Sequence, residues 1–242
     1  NQDAINENPL RFIRSSSAAL PKPVLKKLET TFQCPIVEAY GMTEASHQIA
    51  SNPLPPKSRK PGTVGIAAGP QIKIIETNGD ELPTNSVGEI VIKGKNVINY
   101  YANNPEANHS SFHEGWFRTG DLGSIDEDGY LTISGRIKEI INKGGEKISP
   151  KEIDDILQEM PAIEQVVCFA IGDNTYGEEI GCAIVLVPGM SLTEEEIVTH
   201  ASKFLARFKI PRKFFFLSEI PTGPTGKLQR IGLAKKLGLE DE

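Results

Sequence analysis

The run from Gly135 to Pro150, Gly-Arg-Ile-Lys-Glu-Ile-Ile-Asn-Lys-Gly-Gly-Glu-Lys-Ile-Ser-Pro, leaves the backbone few choices. Gly144-Gly145 offers the positive φ angles of a tight turn, and two residues without Cβ let another backbone or a ligand come close. A short β-type apolar run precedes them. After them Ser149 stands where an N-cap belongs and Pro150 where a first helical residue belongs. Glu152 and Asp154 follow near the helix start, which favours acids. The local expectation is a hairpin that leads into a helix.

Periodicity organises the rest. Val24, Leu25, Leu28 and Phe32 recur at helical spacing between Pro21 and Gln33, so they are expected to face a core. Pro35 to Tyr40 reads as a buried strand ending at Gly41, and Asn52 to Pro61 as a surface loop. Gln71 to Ile75, an Asn78-Gly79 turn and Gly88 to Gly94 read as an antiparallel meander. Asn96 to Glu106 reads as a polar connection. His109 and His113 lie four apart in what reads as an exposed loop with no third ligand, so a metal site is not expected there. Asp126 to Gly129 reads as a solvated hairpin tip. Further on, Pro150 to Met160 and Thr193 to Phe208 read as helices. Gln165 to Ile171, Cys182 to Val187 and Phe214 to Leu217 read as strands, together a compact α+β unit. Lys227 sits among glycines, in a segment suited to a residue that reaches a site in one conformation and leaves it in another.

With 242 residues the chain can hold one large or two modest domains. A net charge of -6 argues against nucleic-acid binding. It leaves ATP and CoA open, since anions need only a local basic patch. Three cysteines, Cys34, Cys168 and Cys182, are odd in number and lack metal-ligand spacing, which points to buried thiols in a reducing compartment. There is no apolar run long enough for a membrane span, no cationic leader and no Ser-Lys-Leu ending, so a cytoplasmic protein without a membrane partner is expected.

Four blocks occur in a fixed order: Tyr40-Gly41-Met42-Thr43-Glu44, Trp116-Phe117-Arg118-Thr119-Gly120-Asp121-Leu122, the Gly135–Pro150 run, and Pro224-Thr225-Gly226-Lys227-Leu228-Gln229-Arg230. In this order and spacing they resemble the adenylate-forming enzymes, the acyl-CoA synthetases, luciferases and peptide-synthetase adenylation domains. Within them the chain looks most like the small-acid CoA ligases, the oxalate–CoA ligase group in particular. The resemblance implies an α/β and α+β fold. Residues 1–137 would be the C-terminal part of a large AMP-binding domain, with a β-barrel-like subdomain at about 62–135, and 138–242 a small mobile α+β domain.

It also implies roles. Ser17, Ala18, Glu38, Ala39 and Tyr40 hold adenine, Tyr40 by stacking. Asp121 takes the ribose hydroxyls, and Arg136 the ribose or phosphate. Thr43 meets the α-phosphate and Glu44 binds Mg²⁺. Lys138 is a hinge, Gly144 and Gly145 line a CoA channel, and Lys227 is catalytic. Ala45-Ser46-His47 stands where many relatives carry Gly-Pro, so Ser17 and His47, with Arg14, are expected to favour a small dicarboxylate. The family's Ser/Thr/Gly-rich phosphate loop is absent. The chain therefore reads as the C-terminal half of a longer enzyme, nearly inactive alone, whose partners are a small carboxylate, ATP/AMP, CoA and the missing N-terminal half. A domain loading a carrier protein and a non-catalytic nucleotide-binding module are the rival readings.

Overall fold

The computed structural model describes residues 5, 7, 9–16, 18, 20–223 and 228–239. They fall into two compact units, Asn1–Ser134 and Gly135–Glu242. Among the described residues no helix is long and apolar enough to cross a membrane.

The first unit opens with a parallel pair, β1 (Ile13–Ser15) and β2 (Ile36–Tyr40), joined by α1 (Lys22–Phe32). Leu25 is buried, and Leu28 and Phe32 pack with it against Ile13 and Ile36. Val24, expected in the core, is exposed. The others sit three and four apart, and Val24 precedes that stripe by one position, which turns it away. β3 (Ala50–Ser51) and β4 (Ile66–Ala67) extend the sheet in the order β1-β2-β3-β4. β2, flanked on both edges, is buried at every residue.

A second, antiparallel sheet follows. β5 (Gln71–Ile75), β6 (Gly88–Lys93), β7 (Phe112–His113) and β8 (Trp116–Ile125) take the order β5-β6-β8-β7, and β9 (Leu131–Arg136) also pairs with β8. Ile74, Ile90, Ile92, Phe117 and Leu131 form its core together with Tyr40, Ala45 and Ile49.

The loops are less free than the sequence suggests. Asn52 donates to the Thr63 carbonyl at 2.7 Å and accepts the Lys60 N–H at 3.0 Å. Lys60 in turn reaches Asp126 at 2.6 Å and Asp128 at 2.7 Å, so those acids are ion-paired rather than merely solvated. That bond holds the Asp126 carboxyl below the usual carboxylate range. The stretch around His109 is not a loop. It is α2 (Pro105–Ser111), with Pro at its start and its Ala107 N–H capped by the Asn104 side chain. Among the described residues no group of three or more His, Cys, Asp or Glu is placed to hold a metal.

The second unit is built on a long hairpin, β12 (Ile163–Asp173) and β13 (Gly177–Leu186). β10 (Ile141–Lys143) joins one end of β13, β11 (Glu146–Ile148) pairs with β10, and β14 (Lys213–Phe216) runs parallel to β13. α3 (Pro150–Leu157) and α4 (Glu194–Ala201) bury Ile153, Leu157, Ile197 and Ala201 against Ile141, Ile148, Ile180 and Ile184. Thr193 and Glu196 close a reciprocal capping box on α4. α4 stops well short of Phe208. The chain turns after Ala201, burying Leu205 and leaving Phe204 exposed. α5 (Leu233–Lys236) is the last element among the described residues. Cys168 and Cys182 face each other across the hairpin register and are bonded as a disulfide, not left as thiols. Cys34 is free and buried.

Candidate active site

β2 delivers Tyr40 to its C-terminal end, where the chain folds back sharply. A Cβ on Gly41 would lie 2.2 Å from the His47 carbonyl oxygen, so only glycine fits there. Thr43–Ala45 form a 3-10 turn, and Ser46 and His47 follow at φ 51° and 61°, a left-handed pair that non-glycine residues rarely adopt. Hydrogen bonds hold the reversal, with the His47 N–H donating to Met42 and the Ile49 N–H to Tyr40, both at 2.9 Å. Asn96 braces it from outside. Its Nδ2 donates to the carbonyls of Ala45 at 2.9 Å and Gln48 at 2.8 Å, and Ser46 Oγ donates back to the Asn96 carbonyl at 3.1 Å.

The Tyr40 phenol donates to Asp121 Oδ2 at 2.5 Å, and both side chains are buried. Asp121 reaches this place because β8 bulges. The pairing steps from Glu89↔Leu122 to Val91↔Arg118, leaving extra residues on β8 around Gly120, whose φ is 72°. Buried Glu89 pins the bulge, accepting from Arg118 Nε at 2.8 Å and from the Gly120 N–H at 3.3 Å. The Asp121 N–H donates to Thr119 Oγ1 at 3.1 Å. Residues far apart in sequence thus meet, an aromatic phenol holding a carboxylate at the end of a strand.

Glu44 Oε1 accepts from the Tyr101 phenol at 2.9 Å. Burial, and then the bond and charge of Glu44, push that phenol up to about 12. Thr43 and His47 are exposed. Arg14 donates to Gln48 Oε1 at 3.0 Å, beside His47 in the chain. Glu38 is turned inward, where Oε2 accepts the Gly62 N–H at 3.1 Å, and Ala39 is buried. Ala18 is exposed, while Ser17 and Lys227 lie outside the described residues. Asn96 and Tyr101 were missed by the sequence reading. Both stand in a polar stretch with no periodicity, and only their contacts give them importance.

In the second unit Arg136 and Lys138 are exposed, around a 3-10 turn at Ile137–Glu139. Gly135, at φ 153°, is needed because a Cβ would meet Ser149 Oγ at 2.6 Å. Ser149 stands at the N-cap of α3, but its hydroxyl makes no capping bond. Gly144 and Gly145 adopt φ 59° and 92°, the turn expected of a Gly-Gly pair.

Two family sequence models match, the AMP-binding enzyme over residues 2–102 and the AMP-binding enzyme C-terminal domain over 152–227. The chain belongs to the AMP-binding enzymes. Among its relatives in that family, the oxalate–CoA ligase of Saccharomyces cerevisiae is 50% identical over 228 residues, covering 93% of this chain and 42% of the relative. The oxalate–CoA ligase of Arabidopsis thaliana is 49% identical over 222 residues, covering 91% and 43%. The crystal structure of ATP-bound MatB from Rhodopseudomonas palustris superposes with a TM-score of 0.88 at 33% identity, covering 93% of this chain and 45% of that one. The chain therefore spans less than half the length of the curated relatives it matches.

Proposed function

We propose that this chain is the C-terminal part of an AMP-forming acid–CoA ligase whose acid is a small dicarboxylate such as oxalate. The observation that carries the reading is the Tyr40–Asp121 pair at the end of β2, where the Thr43–Glu44 turn departs. In the first half-reaction a carboxylate oxygen attacks the α-phosphorus of ATP, the α–β anhydride bond breaks and pyrophosphate leaves an acyl-adenylate. In the second, the CoA thiol loses its proton, its sulfur attacks the acyl carbon, and AMP leaves. Such chemistry asks the protein for positioning and charge neutralisation.

Asp121 takes the ribose hydroxyls, to which a carboxylate can offer both oxygens. Tyr40, with Glu38, Ala39, Ser17 and Ala18, takes adenine, Thr43 the α-phosphate, and Arg136 the ribose or phosphate. Lys227 bridges the acyl carboxylate and the α-phosphate. Lys138 is the hinge, and Gly144 with Gly145 makes room for the pantetheine arm. Glu44 fits Mg²⁺. Its carboxylate is oriented by a neutral phenol, and this ion takes one or two protein carboxylates and completes its shell with phosphate oxygens and water. Bound there, Mg²⁺ offsets phosphate charge. His47, exposed on its braced turn, receives the second carboxylate of the acid, with Ser17 and Arg14. His47→Ala should weaken oxalate about tenfold, as expected for one charge-assisted hydrogen bond. Unchanged oxalate affinity would remove that role.

The decisive experiment is pyrophosphate release and acyl-CoA formation by the protein completed to the length of its relatives, with oxalate, malonate, cinnamates and octanoate. A preference for oxalate is expected. A preference for cinnamates or octanoate would overturn the substrate class, and transfer to a holo-carrier protein instead of CoA would favour the carrier-loading reading. Nucleotide binding without pyrophosphate release would leave a non-catalytic module.

A further inference from the structure

β10 places Ile141 inward, Asn142 outward and Lys143 inward, so a lysine occupies the core-facing position just before the Gly144-Gly145 turn. Its side chain is 6% exposed, and Nζ meets Oε1 of Glu179, itself 3% exposed, at 2.5 Å. The same oxygen accepts the Ile180 N–H at 2.8 Å. Glu179 Oε2 is buried with no hydrogen bond among the described residues, and Arg212 Nε lies 3.7 Å from it. A buried pair this incompletely satisfied is a poor source of stability, because apolar residues of similar volume commonly do as well.

What the pair does achieve is geometric. It sits where the β10–β11 hairpin leans on the turn between β12 and β13. There the Gly144 N–H donates to the Tyr176 carbonyl at 2.9 Å, and the Asn142 N–H donates to Glu178 Oε2 at 2.5 Å. Asp173 Oδ1 holds that turn by accepting from the N–H groups of Thr175 at 2.9 Å and Tyr176 at 2.8 Å. The Tyr176 ring lies 6.0 Å from Lys143 Nζ and 5.9 Å from Arg212 Cζ. It also backs Gly144 so closely that a Cβ there would stand 3.1 Å from the ring.

We propose that Lys143 and Glu179 are positioning residues for thioester formation, a clasp that fixes the Gly144-Gly145 tip in the shape the CoA arm requires. The inference rests on the ligase reading and concerns only its second half-reaction.

In the full-length ligase, Glu179→Gln keeps the shape and an acceptor for Ile180 but removes the charge. It should leave ATP–pyrophosphate exchange within about twofold while slowing acyl transfer from preformed acyl-adenylate to CoA, or raising the KM for CoA, by about 10- to 100-fold, the scale of an ångström misplacement. Lys143→Arg should recover most of the activity that Lys143→Gln loses. Hydrogen exchange on the 242-residue chain gives a second readout, in which the Gly144 amide should exchange faster in Glu179→Gln. Equal loss in both half-reactions, or no loss in either, would overturn the proposal, as would unchanged exchange at Gly144. If the parent enzyme forms no acyl-CoA at all, the ligase reading fails, and Gly144 exchange still decides whether the clasp exists.

Discussion

Arg230 lies two residues beyond Leu228, which bridges to Thr222. Its guanidinium is 14% exposed and serves three elements of the second unit. Nε donates to Glu139 at 3.0 Å, beside Lys138, Nη2 donates to Asp154 on α3 at 2.8 Å, and Nη1 donates to the Cys168 carbonyl on β12. Asp154 Oδ1 accepts the Cys168 N–H at 2.7 Å, closing the ring. Arg230→Met should strand two carboxylates, Asp154 at 15% and Glu139 at 21% exposure, without their cation. Breaking a buried pair from one side costs about 3–5 kcal/mol, against roughly 0–1 for an exposed pair.

Acidity gives the test a second axis. Burial pushes the Asp154 carboxyl from 3.8 up to about 6, although Arg230 pulls the other way. The stability contributed by its neutral form is fully present below about 3.8 and is lost as pH rises through about 6, on the order of 3 kcal/mol for a shift of this size. Without Arg230 the carboxyl stays protonated to higher pH, so the substitution should cost less at pH 5 than at pH 8. Urea unfolding of wild type and Arg230→Met at both values, with hydrogen exchange on β12 and β13 amides to localise the loss, measures this. A penalty below about 1 kcal/mol at pH 8, the exposed-pair range, or equal penalties at both pH values would refute the reasoning.

Three further outcomes can be checked. Absorbance titration should find the Tyr101 phenol ionising near 12, and Glu44→Gln should bring it down by removing a bond and a charge that favour its neutral form. Asn96→Ala should cost about 1–3 kcal/mol, since it leaves the carbonyls of Ala45 and Gln48 without that donor, and exchange should rise at the Gln48 amide. The 242-residue chain alone should bind AMP weakly, detectable by calorimetry, and give no acyl-CoA, so turnover by this piece would contradict the assignment of the phosphate loop to another part of the enzyme.

What was legible beforehand follows from how locally each feature is determined. The Gly144-Gly145 turn, the start of α3 at Pro150, and the inward stripe of Leu25, Leu28 and Phe32 on α1 depend on neighbours within a turn or two, so composition and spacing suffice. The early end of α4 was hidden because the local sequence does not say that Leu205 must reach the core. The Cys168–Cys182 bond needed the exact register of β12 against β13, which a hairpin of unknown turn length leaves open. Asn96 and Tyr101 are the harder cases, because each acts on a backbone or carboxylate about fifty residues earlier in the chain, through a loop without a pattern. The block resemblance named the groups expected to meet the ligand, such as Tyr40, Glu44 and Asp121. The groups that aim them, Glu89 behind the β8 bulge, Tyr101 behind Glu44 and Asn96 behind His47, come from other strands and loops. A reacting group must be a particular residue type, so it leaves a readable mark, whereas an aiming group need only reach the right atom. Variants of the aiming groups are therefore the sharper test of the geometry, because they alter it while leaving every proposed reacting atom in the chain.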